Sequence, residues 1–231
     1  AREPEIIFLV DLLNQAGAKI EGAGEHTLFI HGVSSLKPLS CEIFADRIEA
    51  GTYMIAGAIT EGDVEITHCI PEHLETLSSK LREAGVDVEE KEKSVRVRSR
   101  KPLYPVDIKT QPFPGFATDF QAQFMALMTL AEGRSAIVET VFENRFMHAA
   151  ELKRMGADIT LEGRTAIIRG VKILNGAPVM ATDLRASASL VLAALAARGD
   201  TTISRVYHID RGYEKMEKKL SQLGARIRRN D

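Results

Sequence analysis

Four short segments concentrate the residue types that hold anions and move protons. They are Ala117-Thr118-Asp119-Phe120-Gln121-Ala122-Gln123, Phe142-Glu143-Asn144-Arg145-Phe146-Met147-His148, Thr182-Asp183-Leu184-Arg185-Ala186-Ser187-Ala188-Ser189 and His208-Ile209-Asp210-Arg211-Gly212-Tyr213-Glu214. Arg145, Arg185 and Arg211 supply planar guanidinium forks, which match carboxylate and phosphate oxygens in bidentate fashion. Asp119 and Asp183 add carboxylates at the same level of the fold. Each segment falls at the start of a helix in the reading below, where free N–H groups and the positive dipole end favour anions. A simpler reading exists for each residue taken alone. Asp119 and Asp183 can be helix N-caps, and the arginines can pair with Glu143, Asp183 and Asp210. Three arginines at equivalent ends of related units together argue for an anionic ligand, which the pattern does not name.

The segments sit in a repeat. Amphipathic stretches close on Gly17, Gly85, Gly156 and Gly224, a period of about 70 residues. A second marker recurs as Glu61-Gly62-Asp63, Glu132-Gly133-Arg134 and Arg198-Gly199-Asp200, and a third as Ala45-Asp46-Arg47, Thr118-Asp119 and Thr182-Asp183. The last copy defines the unit. Pro178–Ala181 is a short strand, and Thr182 or Asp183 caps a helix that runs to about Ala197. Thr201–Val206 is β-branched and alternating, a strand. Arg211–Leu223 places Met216, Leu220 and Leu223 at helical spacing. Other copies add two strands, such as Asp158–Leu161 and Ala166–Arg169. The unit is β-α-β-α-β-β, an α/β arrangement.

The first helix of each unit, at Asp46–Thr60, Asp119–Ala131 and Asp183–Ala197, is apolar on nearly every side and rich in alanine. Such helices belong in an interior, with the sheets covering them from outside. The first copy is half a unit: Glu3–Gln15 reads as a helix and Ala18–His31 as two strands. Half a unit cannot bury its apolar face alone, so its partner is expected upstream. A boundary near Ile43 divides residues 1–43, the tail of a preceding domain, from a complete three-unit domain at 44–231. The opening on Ala1 rather than Met agrees with a partial chain, for which marginal solubility is expected.

Length and composition narrow the function classes. The chain has 231 residues, 45% apolar and 27% charged, the balance of an ordinary globular protein. A net charge of −2 and 6% aromatic residues argue against a nucleic-acid binder. No apolar run reaches the roughly 20 residues of a membrane span. Cys41 and Cys69 make no disulfide framework, and a reducing cytoplasm is the simplest location. His68, Cys69 and His73 lack common zinc spacing and a nearby fourth ligand. Pro102, Pro105, Pro112 and Pro114 mark a connection between units, and Glu89–Lys93 a solvated turn between two strands.

The same segments resemble the UDP-N-acetylglucosamine 1-carboxyvinyltransferase family, the enolpyruvyl transferases of peptidoglycan synthesis. The runs Glu143–His148, Thr182–Ser189 and His208–Glu214 are long and specific, and the likeness extends to Ala1-Arg2-Glu3-Pro4-Glu5-Ile6 and Asp46-Arg47-Ile48-Glu49-Ala50-Gly51-Thr52. Family members are about twice as long. The resemblance implies an inside-out α/β barrel, helices inside and sheets outside, and a cleft between two domains that closes on the sugar nucleotide. Asp119 matches the aspartate that contacts the acceptor 3-hydroxyl and acts as base. Val141 matches a residue whose backbone holds the sugar nucleotide. Arg145, Arg185 and Arg211 match the arginines around phosphoenolpyruvate and the closed cleft, and Asp183 an acidic residue beside the reacting carbons. Asp119, Arg211 and Asp183 are thus the catalytic expectation, and Asp119, Val141, Arg145, Arg185 and Arg211 the substrate-binding one. No cofactor or metal is implied.

The family's general acid, usually a cysteine on a mobile loop of the other domain, has no counterpart here. Cys41 lies in a strand-like stretch and Cys69 just before a second helix, so neither takes that place. The chain is therefore expected to carry about half of an active site. Three alternatives remain in view: the related shikimate 3-phosphate enolpyruvyl transferase, a non-catalytic sugar-nucleotide sensor, and an RNA-binding protein of similar units.

Overall fold

The computed structural model describes residues 2–100 and 102–230. Pro4 opens helix α1 (Pro4–Gln15), whose missing N–H costs nothing at that position. The antiparallel pair β1 (Lys19–Glu21) and β2 (Phe29–His31) follows. Residues 32–46 form no strand, so the strand-like stretch expected around Cys41 is absent; strands exist by their ladder partners, and none lies alongside among the described residues. Phe8 packs edge-on against Phe44 at 5.0 Å, and Arg47 reaches Glu5 at 2.8 Å, tying α1 to the units beyond.

The next unit runs α2 (Arg47–Ile59), β3 (Asp63–Thr67), a 3-10 turn at Pro71–Leu74, α3 (Glu75–Glu83), β4 (Asp87–Lys91) and β5 (Ser94–Arg98). The middle unit has all six expected elements. They are β6 (Ile108–Lys109), α4 (Gln121–Met128) behind a 3-10 turn at Thr118–Phe120, β7 (Arg134–Val138), α5 (Met147–Arg154), β8 (Asp158–Glu162) and β9 (Thr165–Arg169). The last unit contains β10 (Pro178–Met180), α6 (Leu184–Ala196), β11 (Thr202–Ser204), a 3-10 turn at Val206–Arg211 and α7 (Met216–Gln222). The helix expected over Arg211–Leu223 is thus shorter. Lys215 takes a left-handed φ of 47°, which breaks the helical run ahead of Met216.

The helices sit inside. Every residue of α4 is buried, as is all of α2 except Glu49, whose carboxylate meets Lys219 at 2.7 Å. Helices α2, α4 and α6 contact one another in all three pairings. Met54, Ile55, Phe124, Leu127, Leu190 and Leu192 are fully buried there, each worth about 1.5–3 kcal/mol of transfer free energy. Close approach needs small residues: a Cβ on Gly51 of α2 would lie 2.4 Å from the Phe120 ring.

The sheets cover this core in the orders β3-β5-β4 and β6-β7-β9-β8, with β10-β11 as a parallel pair. Inward residues such as Val95, Val97, Ile137 and Ile168 are buried, while outward ones form surface ion pairs such as Asp63–Arg96 at 2.7 Å. The expectation of helices inside and sheets outside is met. The strands form separate sheets rather than one closed ring, because no described strand ladder bridges neighbouring units.

Candidate active site

Helix packing brings the first turns of α4 and α6 together. Asp119 lies in the 3-10 turn that leads into α4, and Arg185 in the first turn of α6. Asp119 Oδ1 accepts from Arg185 Nε at 3.2 Å and from Arg145 Nη2 at 2.9 Å. Arg145 arrives on the loop between β7 and α5, where Asn144 turns the chain with a φ of 55°. Its guanidinium also lies 4.5 Å from the Phe142 ring centroid and donates to Thr118 Oγ1 at 2.7 Å.

Burial alone would push the Asp119 carboxyl upward. The charges of Arg185 and Arg145, with their hydrogen bonds, override that and hold it below the usual carboxylate range. The arginine pairing with Glu143, Asp183 and Asp210 is therefore not what forms. Asp119 collects Arg145 and Arg185 from two other elements, while Asp210 pairs with Arg229 at 2.6 Å.

Asp183 caps α6, its Oδ1 accepting from the backbone N–H groups of Arg185 and Ala186 at 2.9 Å each. Its other oxygen has no partner among the described residues, so a cap and a site role are compatible. Arg211 ends the 3-10 turn that packs on α6. It is exposed and carries no ion pair among the described residues. The next residue, Gly212, touches Leu184, where a Cβ would come within 2.9 Å, so Arg211 stands beside the start of α6 rather than inside the Asp119 cluster. Val141 is 41% exposed and its N–H is taken by Glu139 Oε1 at 2.8 Å, which leaves its carbonyl as the available backbone group.

Residues the sequence reading passed over support this arrangement. Tyr213 is buried, and its hydroxyl accepts from Arg185 Nη1 at 3.3 Å and Gln123 Nε2 at 3.3 Å. Thr52 uses its own hydrogen on the Ile48 carbonyl at 2.8 Å, so Tyr213 donates to Thr52 Oγ1 at 2.9 Å. One hydroxyl thus links all three buried helices. Glu139, 1% exposed, accepts from Thr118 Oγ1 at 2.8 Å. His148 is buried with no partner on Nε2 among the described residues, and burial pushes its pKa down to about 4. No group of three or more His, Cys, Asp or Glu side chains among the described residues is arranged to hold a metal ion, and no described helix is long and apolar enough to cross a membrane.

Buried helices wrapped by repeated β-α-β-α-β-β sheets are the architecture of the enolpyruvyl transferases. The sequence profile of the EPSP synthase (3-phosphoshikimate 1-carboxyvinyltransferase) family matches residues 1–220, and the chain belongs to that family. Within it, the chain is 60% identical over 229 residues to the UDP-N-acetylglucosamine 1-carboxyvinyltransferase of Desulfatibacillum aliphaticivorans, covering 99% of this chain and 55% of that protein. It is 61% identical over 230 residues to the protein of the same name from Solibacter usitatus (strain Ellin6076), again 99% and 55%. The solved enolpyruvyl transferase NikO from Streptomyces tendae superposes with a TM-score of 0.87 at 33% identity, covering 98% of this chain and 54% of that one. EPSP synthase from Acinetobacter baumannii, with a TM-score of 0.63 at 19% identity over 81% of this chain and 44% of its own, shares the fold. The chain spans about half the length of the curated relatives it matches.

Proposed function

We propose that this chain forms about half of the active site of an enzyme that transfers the enolpyruvyl group of phosphoenolpyruvate to the 3-hydroxyl of UDP-N-acetylglucosamine, with release of phosphate. The observation that carries the proposal is the Asp119 carboxylate held between Arg145 and Arg185, in a chain about three-fifths identical to relatives bearing that name.

The chemistry fits the cluster. Phosphoenolpyruvate brings a carboxylate and a phosphate, and Arg145, Arg185 and the free Arg211 offset and orient those charges. Protonation of C3 gives an oxocarbenium-like centre at C2, which the sugar hydroxyl attacks while Asp119 takes its proton. Phosphate then leaves C2 of the tetrahedral intermediate as C3 gives up a proton, which restores the double bond and yields the enolpyruvyl ether. In the resting arrangement both arginines hold the carboxylate in its charged form and make it a weak base. An anionic substrate that draws them away raises the basicity of Asp119 when it is needed. Asp183, with one oxygen uncommitted, stands at the same helix level for the reacting carbons. The Val141 carbonyl is the group left to hold the sugar nucleotide.

The other half of the site is assigned to an upstream domain. The open faces of β2 support this: Phe29 and Ile30 are 58% and 70% exposed, and Ile43 is 77% exposed, surfaces that a neighbouring domain would cover. On this reading residues 1–43 belong with that domain and 44–231 form the second one. A cytoplasmic role in the first committed step of peptidoglycan synthesis follows from the same assignment. The test is phosphate release from phosphoenolpyruvate by the full-length protein. Release with UDP-N-acetylglucosamine and none with shikimate 3-phosphate supports the reading; the reverse preference overturns it.

A further inference from the structure

We infer that Glu139 is a positioning residue that sets the geometry of the Arg145–Asp119 pair. The inference rests on the function proposed above for that pair. Glu139 follows the last residue of β7 and stays in line with the sheet, its N–H donating to the Arg164 carbonyl at 2.9 Å. Its side chain turns inward, although a strand end that merely needed filling would hold an apolar residue without the cost of desolvating a charge.

The carboxylate accepts four hydrogen bonds and donates none. Oε1 takes Thr110 Oγ1 at 2.8 Å, the Val141 N–H at 2.8 Å and the Phe142 N–H at 3.1 Å. Oε2 takes Thr118 Oγ1 at 2.8 Å. From the other side Arg164 donates to the carbonyls of Glu139, Thr140 and Phe142 at 3.1, 3.4 and 3.3 Å. The loop that carries Val141 and Arg145 is therefore held through its N–H groups by one side chain and through its carbonyls by another.

Thr118 completes the link. Its hydroxyl has one hydrogen, and Glu139 claims it. The lone pairs then face Arg145, whose Nη1 donates to Thr118 at 2.7 Å while Nη2 holds Asp119 at 2.9 Å. Glu139 thus fixes the direction of a hydroxyl, and that direction decides whether the guanidinium can seat on both Thr118 and Asp119.

Three variants of the full-length protein test this. In Glu139→Gln one oxygen still serves the three donors at Oε1, but the amide faces Thr118 with hydrogens and turns that hydroxyl toward Arg145. Thr118→Val removes the link and leaves the loop anchor intact. Thr118→Ser keeps the hydroxyl. The expected result is a rise of about tenfold in KM for phosphoenolpyruvate, whose charges Arg145 orients, with a smaller change in kcat, for Glu139→Gln and Thr118→Val. The melting temperature of Thr118→Val stays close to the parent's, and Thr118→Ser restores the parental KM. Crystal structures supply the second readout: Arg145 leaves Asp119 in Thr118→Val and stays in Thr118→Ser. Arg145 seated on Asp119 in all of them, or Thr118→Ser as impaired as Thr118→Val, overturns the inference. If the parent itself does not turn over the two substrates, the proposed function falls and the position of Arg145 alone decides the role of Glu139. Should Glu139→Gln fail to fold, the Thr118 pair carries the test.

Discussion

Asp119 and Arg185 stand 66 positions apart in the chain, yet the carboxylate Oδ1 accepts from the guanidinium Nε at 3.2 Å. Each residue opens the buried helix of a different repeat, so their meeting reports how α4 packs on α6. Under the proposed function, the contact links the repeat architecture to the group that accepts the proton.

That contact predicts a split in the pH dependence of turnover. In the free enzyme Arg185 and Arg145 overcome the effect of burial and hold Asp119 below the ordinary carboxylate range. The acid limb of kcat/KM, which reports the free enzyme, therefore lies low. Bound substrate anions compete for both arginines, so the acid limb of kcat moves to higher pH. Initial rates of the full-length protein across the acid range measure both limbs. Coincident limbs would show that the arginines stay on Asp119 throughout.

Tyr213→Phe is predicted to loosen the junction of the three buried helices. Tyr213 bonds Thr52, Gln123 and Arg185. Its loss leaves Gln123 Nε2 and Thr52 Oγ1 bonded to each other at 3.3 Å but frees Arg185 Nη1. The expected cost is about 1–3 kcal/mol, a fall in melting temperature of roughly 2–10 °C. Calorimetry checks the melt. KM for phosphoenolpyruvate should rise in the same variant, because Arg185 loses the group that holds it.

The protein should lose stability on mild acidification because of His148. Burial lowers its pKa from 6.5 to about 4 in the folded chain. Below 6.5 the unfolded chain binds a proton that the folded chain refuses. Stability from this group is therefore full above 6.5 and falls as pH drops toward 4, by about 1.4 kcal/mol per unit. Asp119 acts in a lower window, since its lowered pKa keeps its contribution intact until below the ordinary value of 3.8. His148→Phe should flatten the melting temperature between pH 6.5 and pH 4. An unchanged slope would assign the acid sensitivity to other groups.

The repeat and the buried helices were legible because they depend on local pattern. Alanine-rich, uniformly apolar stretches after Asp46, Asp119 and Asp183 could only be interior helices, and Asp46 and Asp183 do cap them through backbone N–H bonds. The ion pairs were not legible. The sequence offers Arg145 its neighbour Glu143 and Arg185 its neighbour Asp183, whereas both bond Asp119 through tertiary packing. Lys215 hid the break before α7, because nothing in its type signals a left-handed backbone. Glu139 left one faint signal, a carboxylate set among the β-branched residues Ile137, Val138, Thr140 and Val141. Tyr213 lies in the His208–Glu214 run, but only the packed helices give its hydroxyl a role.

Asp119→Asn in the full-length protein tests the central claim most directly, by phosphate release from phosphoenolpyruvate in the presence of UDP-N-acetylglucosamine. The amide cannot take the proton of the sugar hydroxyl, while removal of its charge leaves Arg145 and Arg185 free for the substrate anion. The predicted result is a fall in kcat of about 10²–10⁴-fold with no rise in KM for phosphoenolpyruvate. A variant that releases phosphate at the parental rate would contradict the assignment of Asp119 as the proton acceptor and of this cluster as the reacting site.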